Sequence, residues 1–145
     1  MKMPVFGGDE TNQILTDDAI ALMKTGVPDF TFLYLGWTDE VGHASGWMKE
    51  EYISSIYRSF DCIERITRAM PEDCLMVLLA DHGGHERSHG TDMPEDMTIP
   101  LFFYNPALRP RLLEKASIID VAPSIVNAMG VASDPDWEGN TFILE

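Results

Sequence analysis

A chain of 145 residues with 45% hydrophobic content is long enough for one domain with a real core and lies far from the composition of a disordered chain. Its formal net charge of −14 argues against nucleic acid as a structural ligand, although bound divalent cations would offset that charge locally and attract a small phosphate ester. The longest apolar run, Cys74 to Ala80, is too short to cross a bilayer, so no membrane segment is expected, and the lack of a signal peptide favours the cytoplasm.

In chain order, Met1 to Asp9 reads as an irregular lead-in. Thr16 is expected to cap a short helix running to about Thr25, with Asp17 and Asp18 in its first turn and Gly26 and Pro28 as its stop. Phe30 to Leu35 (FTFLYL) is aromatic-rich and predicts a strand, followed by the loop GWTDEVGHASG. Ile53, Ile56, Phe60, Ile63 and Ile66 recur at spacings of three and four, which predicts an amphipathic helix from about Trp47 to Met70, ended by Pro71. Trp47, Tyr52 and Tyr57 are read as core or helix surface. Cys62 lies on that helical pattern and Cys74 opens the next strand; both are expected to act as small hydrophobes rather than as a disulfide framework.

Cys74 to Ala80 is apolar throughout, as in a strand covered on both faces of a parallel sheet. Ile99 to Tyr104 reads as a third strand, with Pro100 suited to an edge or a strand start. Leu108 to Lys115 is expected to be a short helix or turn. Asp120 is expected to cap a helix from Val121 to Met129 that Gly130 stops, and the tail carries TFIL as one more short strand. Strands alternating with helices predict a single α/β domain over residues 1–145, with a layered, mostly parallel sheet and helices on its faces.

Ligands of such sheets bind at the carboxyl ends of strands. Asp81 and His82 follow the second expected strand directly, and Asp39 lies four residues past the first. The histidines of this chain are His43, His82, His85 and His89, all past expected strand ends. Asp39, His43, Asp81, His82 and His89 can therefore converge as a metal site, since imidazole and carboxylate together suit zinc, manganese or iron. Two such ions, about 3.5–4 Å apart, are a recurring device of phosphoester chemistry. Gly42, Gly83, Gly84 and Gly90 sit beside these residues, where tight turns aim side chains at one point. His85 forms H-x-x-x-H with His89 and can ligate, but a place beside the ligands or toward solvent is the expectation.

The segments TDEVGH, SGWMKEEYISSIYRSFDCIERI, LLADHGGHERSHGTDMPEDMTIPLFFYNP and IIDVAPSIVNAMGV with EGN resemble the alkaline phosphatase superfamily, most nearly its type I phosphodiesterase/nucleotide pyrophosphatase branch, over residues 29–142. Phosphoglycerate mutases and sulfatases share parts of the pattern. The resemblance implies an alkaline-phosphatase-like core and hydrolysis of phosphoric esters with two divalent ions, zinc first and manganese also suited. It implies that Asp39, His43 and His89 belong to one metal site and Asp81 and His82 to the other. It further implies that a threonine or serine nucleophile and another aspartate come from an N-terminal half outside this sequence; Thr38, Ser45 and Ser88 do not stand in the nucleophile's context. The chain then corresponds to the C-terminal, metal-binding half of a larger phosphoesterase. The competing expectations are a non-catalytic metal-binding module, a phosphoglycerate mutase-like or sulfatase-like member of the same superfamily, and a histidine-bearing structural domain. A face left by the absent half would favour self-association.

Overall fold

The computed structural model describes residues 8–26, 28–110, 112–113 and 115–142. The lead-in at residues 1–7, parts of the turn expected at 108–115 and the end of the TFIL tail lie outside them. The described chain divides into two compact units: residues 8–71 with 82–100, and residues 72–81 with 101–142.

The first unit is helical. Helix α1, Asp9–Thr25, starts a full two turns before the expected cap, with Asp9 and Glu10 in the first turn where carboxylates suit the helix dipole. Thr16 is therefore no cap. It is fully buried, and its hydroxyl donates back to the Asn12 carbonyl at 2.7 Å. Helix α2, Trp37–Ser45, occupies what the sequence predicts to be loop, and Gly46, at φ 102°, ends it. Helix α3, Glu50–Ala69, is the expected amphipathic helix, shortened at its start by the turn through Gly46 to Lys49. Its most buried residues are Ser55, Cys62 and Ile66, so the packed stripe is rotated from the isoleucine row and leaves Phe60 half exposed. Helices α1 and α3 pack against each other, and Arg58–Asp9, Arg65–Gln13 and Arg65–Asp17 contacts line the seam. Helix α4, Pro94–Met97, is a single turn with proline at its start.

The expected strand Phe30–Leu35 belongs to no ladder among the described residues, and Phe30, Phe32 and Tyr34 are exposed. Strand propensity describes a side chain's fit to a pleated surface, and a strand still needs a partner's hydrogen bonds.

The second unit holds the sheet. Strand β1, Met76–Leu79, pairs with β2, Leu101–Tyr104, in register Met76↔Tyr104 to Leu79↔Leu101. The pairing is antiparallel. This differs from the expected mostly parallel sheet: among the described residues the sheet has two strands, and they run antiparallel. The Asn105 amide donates to the Glu72 and Cys74 carbonyls, both at 2.8 Å, and closes the open end of the pair. A 3₁₀ turn, Ile118–Asp120, leads into helix α5, Val121–Ala128, and Gly130 follows at φ 73°. Buried Asp120 accepts from the backbone N–H groups of Ser117 and Asn140 at 2.8 and 2.7 Å, fastening the tail to the start of α5. Cys62 and Cys74 are both free thiols.

Candidate metal centre

The candidate site lies within the first unit. Asp39 and His43 stand four residues apart on α2, and that spacing puts them on one helix face. His82 and His89 come from the loop between residues 82 and 90. Asp39 Oδ1 lies 3.6 Å from Nε2 of His43, 3.8 Å from Nε2 of His82 and 3.6 Å from Nε2 of His89. The His82 and His89 rings stack with centroids 3.7 Å apart, and those of His43 and His89 lie 5.0 Å apart.

Asp39 Oδ1 is buried and accepts no hydrogen bond from any described residue. The distances of 3.6–3.8 Å are too long for hydrogen bonds. They are close to the spacing of two ligands on one ion, which at bond lengths of about 2.0–2.1 Å and tetrahedral angles is roughly 3.3 Å.

The histidine tautomers point the same way. His43 Nδ1 lies 3.0 Å from the Arg87 carbonyl, and His82 Nδ1 lies 2.7 Å from the Gly83 carbonyl. A carbonyl only accepts, so each Nδ1 carries the proton, and in the neutral ring Nε2 holds the lone pair. Two lone pairs and a carboxylate oxygen gathered at this spacing repel one another unless a cation joins them. The donor set of carboxylate and imidazole, with the His43 and His82 rings each oriented by its other nitrogen, fits a divalent metal. Asp39, His82 and His89 offer ligand atoms that all lie within 4.8 Å of one another, and His43 reaches Asp39 without completing that mutual set. The expected grouping pairs His82 with Asp81 and joins His43 and His89 to Asp39; His43 and His89 do lie beside Asp39, and His82 approaches the same carboxylate. Asp81 falls in the second unit, at the point where the chain passes into the first.

Trp47, 7% exposed, forms the floor of the site. Its indole meets the His43 ring edge-on at 5.1 Å and the His89 ring at 5.8 Å. A Cβ on Gly42 would approach Trp47 to 2.7 Å and one on Gly84 to 2.2 Å, so glycine at both positions lets α2 and the loop close on the indole. The same indole neighbours Tyr52, whose hydroxyl is pushed up from its ordinary pKa by burial.

His85 stands apart from the ligand cluster. Its Nδ1 lies 2.7 Å from Oδ1 of Asp96, a buried residue of α4. The hydrogen bond from His85 holds the Asp96 carboxyl down at about 2, and the same bond raises the pKa of His85. Asp96, Thr91 and the role of Trp47 as a floor escape sequence reasoning. The sole written trace of the first two is a threonine and an aspartate, ordinary loop residues, flanking Met93-Pro94.

The chain combines helices with a two-stranded sheet and brings Asp39, His82 and His89 together as a group that could hold a metal ion. The model of the Metalloenzyme superfamily matches residues 6–133, and the chain belongs to that superfamily. Among its relatives, the phosphopentomutase of Acetivibrio thermocellus is 29% identical over 140 residues, covering 94% of this chain and 33% of the relative. The phosphopentomutase of Deinococcus radiodurans is 30% identical over 138 residues, covering 89% and 34%. The 2,3-bisphosphoglycerate-independent phosphoglycerate mutase of Aeromonas salmonicida is 24% identical over 143 residues, covering 92% and 27%. The chain spans about a third or less of the length of these relatives. The broad resemblance read from the sequence is borne out, whereas these relatives carry mutase names rather than that of the nucleotide pyrophosphatase branch.

Proposed function

We propose that this chain is the metal-holding part of a phosphoryl-transfer enzyme of the mutase kind, acting on a small phosphate monoester. Asp39, His82 and His89 hold a divalent cation, zinc first and manganese second, with His43 against the same carboxylate. Asp81, by the resemblance, serves a second ion in the complete enzyme. The observation that carries the reading is the buried Asp39 Oδ1, without a hydrogen bond, facing three imidazole Nε2 atoms. The phosphopentomutase and phosphoglycerate mutase relatives support transfer over hydrolysis.

A divalent cation at this centre supplies charge stabilisation for a phosphoryl oxygen. The chain's own residues prepare it. Arg87 and Gly83 carbonyls hold the protons of His43 and His82 on Nδ1, and Trp47 backs the rings of His43 and His89. The formal charge of −14 would otherwise repel a phosphate, so substrate capture depends on the bound cation.

The test is turnover, with zinc or manganese, by the enzyme that joins this chain to the nucleophile-bearing half the resemblance implies, of two substrates: a pentose monophosphate followed for phosphate migration by phosphorus NMR and a chromogenic phosphodiester followed for hydrolysis. Metal-dependent migration without diester hydrolysis is the expected outcome. Diester hydrolysis alone would move the assignment to a phosphodiesterase-like hydrolase. Metal binding without turnover of either would make the chain a metal-binding module.

A further inference from the structure

We infer that Asp96 is the positioning residue of the metal centre: through Gly83, His85 and Thr91 it ties together the start, middle and end of the loop that presents His82 and His89, and so sets the centre's affinity for a divalent cation without touching the ion. The inference rests on the metal-holding reading above.

Asp96 is 3% exposed, a rare place for a carboxylate unless donors surround it. Three donors do. His85 Nδ1 meets Oδ1 at 2.7 Å, and the Thr91 backbone N–H and hydroxyl meet Oδ2 at 2.9 and 2.8 Å. The backbone adds a fourth tie, because Gly83 N–H donates to the Asp96 carbonyl at 2.7 Å, and Gly84 N–H donates to the neighbouring Glu95 carbonyl at 2.9 Å. One residue therefore grips the loop just after His82, midway along it, and two residues past His89.

The loop is stiff between those grips. His85 and Ser88 exchange backbone hydrogen bonds at 3.0 and 2.9 Å, and Glu86 is held at φ 46°. The anchor is stiff as well, since Asp96 sits in the single turn of α4, with its own N–H bonded to the Met93 carbonyl at 3.0 Å. The loop packs against Asp96 so closely that a Cβ on Gly83 would lie 2.0 Å from the Glu95 carbonyl oxygen. The ionised state of Asp96 fits this role, since a carboxylate bonded by three donors stays charged. Partners one step removed from a metal ligand commonly change affinity by about 10–100-fold when removed.

The experiment is zinc affinity by competition titration, with the absorption spectrum of bound cobalt(II), on the 145-residue chain and three kinds of variant. Asp96→Asn removes the charge, His85→Leu removes the donor, and His85→Asn keeps a donor near the place of Nδ1. We expect D96N and H85L to bind zinc about 10–100-fold more weakly at unchanged stoichiometry, with an altered cobalt spectrum, and H85N to recover most of the affinity. A role confined to stability would lower the melting temperature of D96N and H85L but leave affinity and spectrum alone, and that result would overturn the inference. Should D96N fail to fold, H85L against H85N decides, and equal affinity for the two would likewise overturn it. Zinc binding by the unaltered chain that no variant weakens sinks this inference alone, whereas no zinc binding by the unaltered chain sinks the metal reading with it.

Discussion

Asp39 brings a buried carboxylate oxygen to within 3.8 Å of three imidazole nitrogens and bonds to none of them. Its importance was legible in the sequence, because Asp39 and His43 stand four apart and His82 and His89 follow an apolar run. How the candidate ligands pair is not legible there, because spacing along the chain does not say which nitrogen each loop turns inward. His85 shows the limit from the other side. H-x-x-x-H with His89 permits ligation, and the fold instead turns its Nδ1 to Asp96. That pair has a pH signature. The carboxyl of Asp96 is depressed from 3.8 to about 2, so its contribution to stability is present above 3.8 and is lost as pH falls toward 2. The imidazole of His85 is raised above 6.5, so its contribution is complete below 6.5 and declines as pH rises through the raised value. The melting temperature of the metal-free chain should therefore exceed that of D96N by most between pH 3.8 and 6.5, with the gap narrowing on either side. Thermal denaturation in chelator across pH 3 to 9 measures this, and a constant gap would refute the ion-pair assignment.

At the scale of elements, α2 decides the site and was the element most hidden in the sequence. Its segment carries two glycines after Gly36-Trp37 and too few apolar positions to show a helical period, so it reads as loop. The acidic first turn at Asp39-Glu40 and the i, i+4 pair with His43 are the signals in hindsight. The amphipathic α3 was visible, because five apolar residues repeat over nearly four turns. The apolar runs at Met76–Leu79 and Leu101–Tyr104 were visible as strands, while their antiparallel direction was not, since composition carries no sense of chain direction. Packing between α2, the 82–90 loop and Trp47 yields a sharp expectation. Alanine at Gly42 gains up to about 1 kcal/mol of helix propensity, yet its Cβ meets a buried indole at 2.7 Å, and overpacking costs about 1–3 kcal/mol. At Gly84, outside any helix, nothing offsets a 2.2 Å approach. G84A should lose ~1–3 kcal/mol or more in urea denaturation and G42A less. Stability equal to the parent for G84A would show that the indole is not held against the loop.

Over the whole molecule, two compact units share one strongly acidic chain, and among the described residues no helix is long and apolar enough to cross a membrane. Superfamily membership was legible because the metal-site motifs keep their order along the chain, and the family match spans residues 6–133. The branch was not legible, because the segments resemble more than one branch of the superfamily, and the relatives carry mutase names. The central claim, that Asp39 and its histidines form a cation site, is tested most directly by zinc bound per chain, measured by elemental analysis after equilibration and removal of excess, on the parent and on Asp39→Asn. We expect one zinc on the parent and none on D39N, whose metal-free melting temperature should be no lower than the parent's, since an amide can donate where the carboxylate oxygen faces lone pairs. A parent chain that retains no zinc, or a D39N chain that retains as much as the parent, would contradict the account.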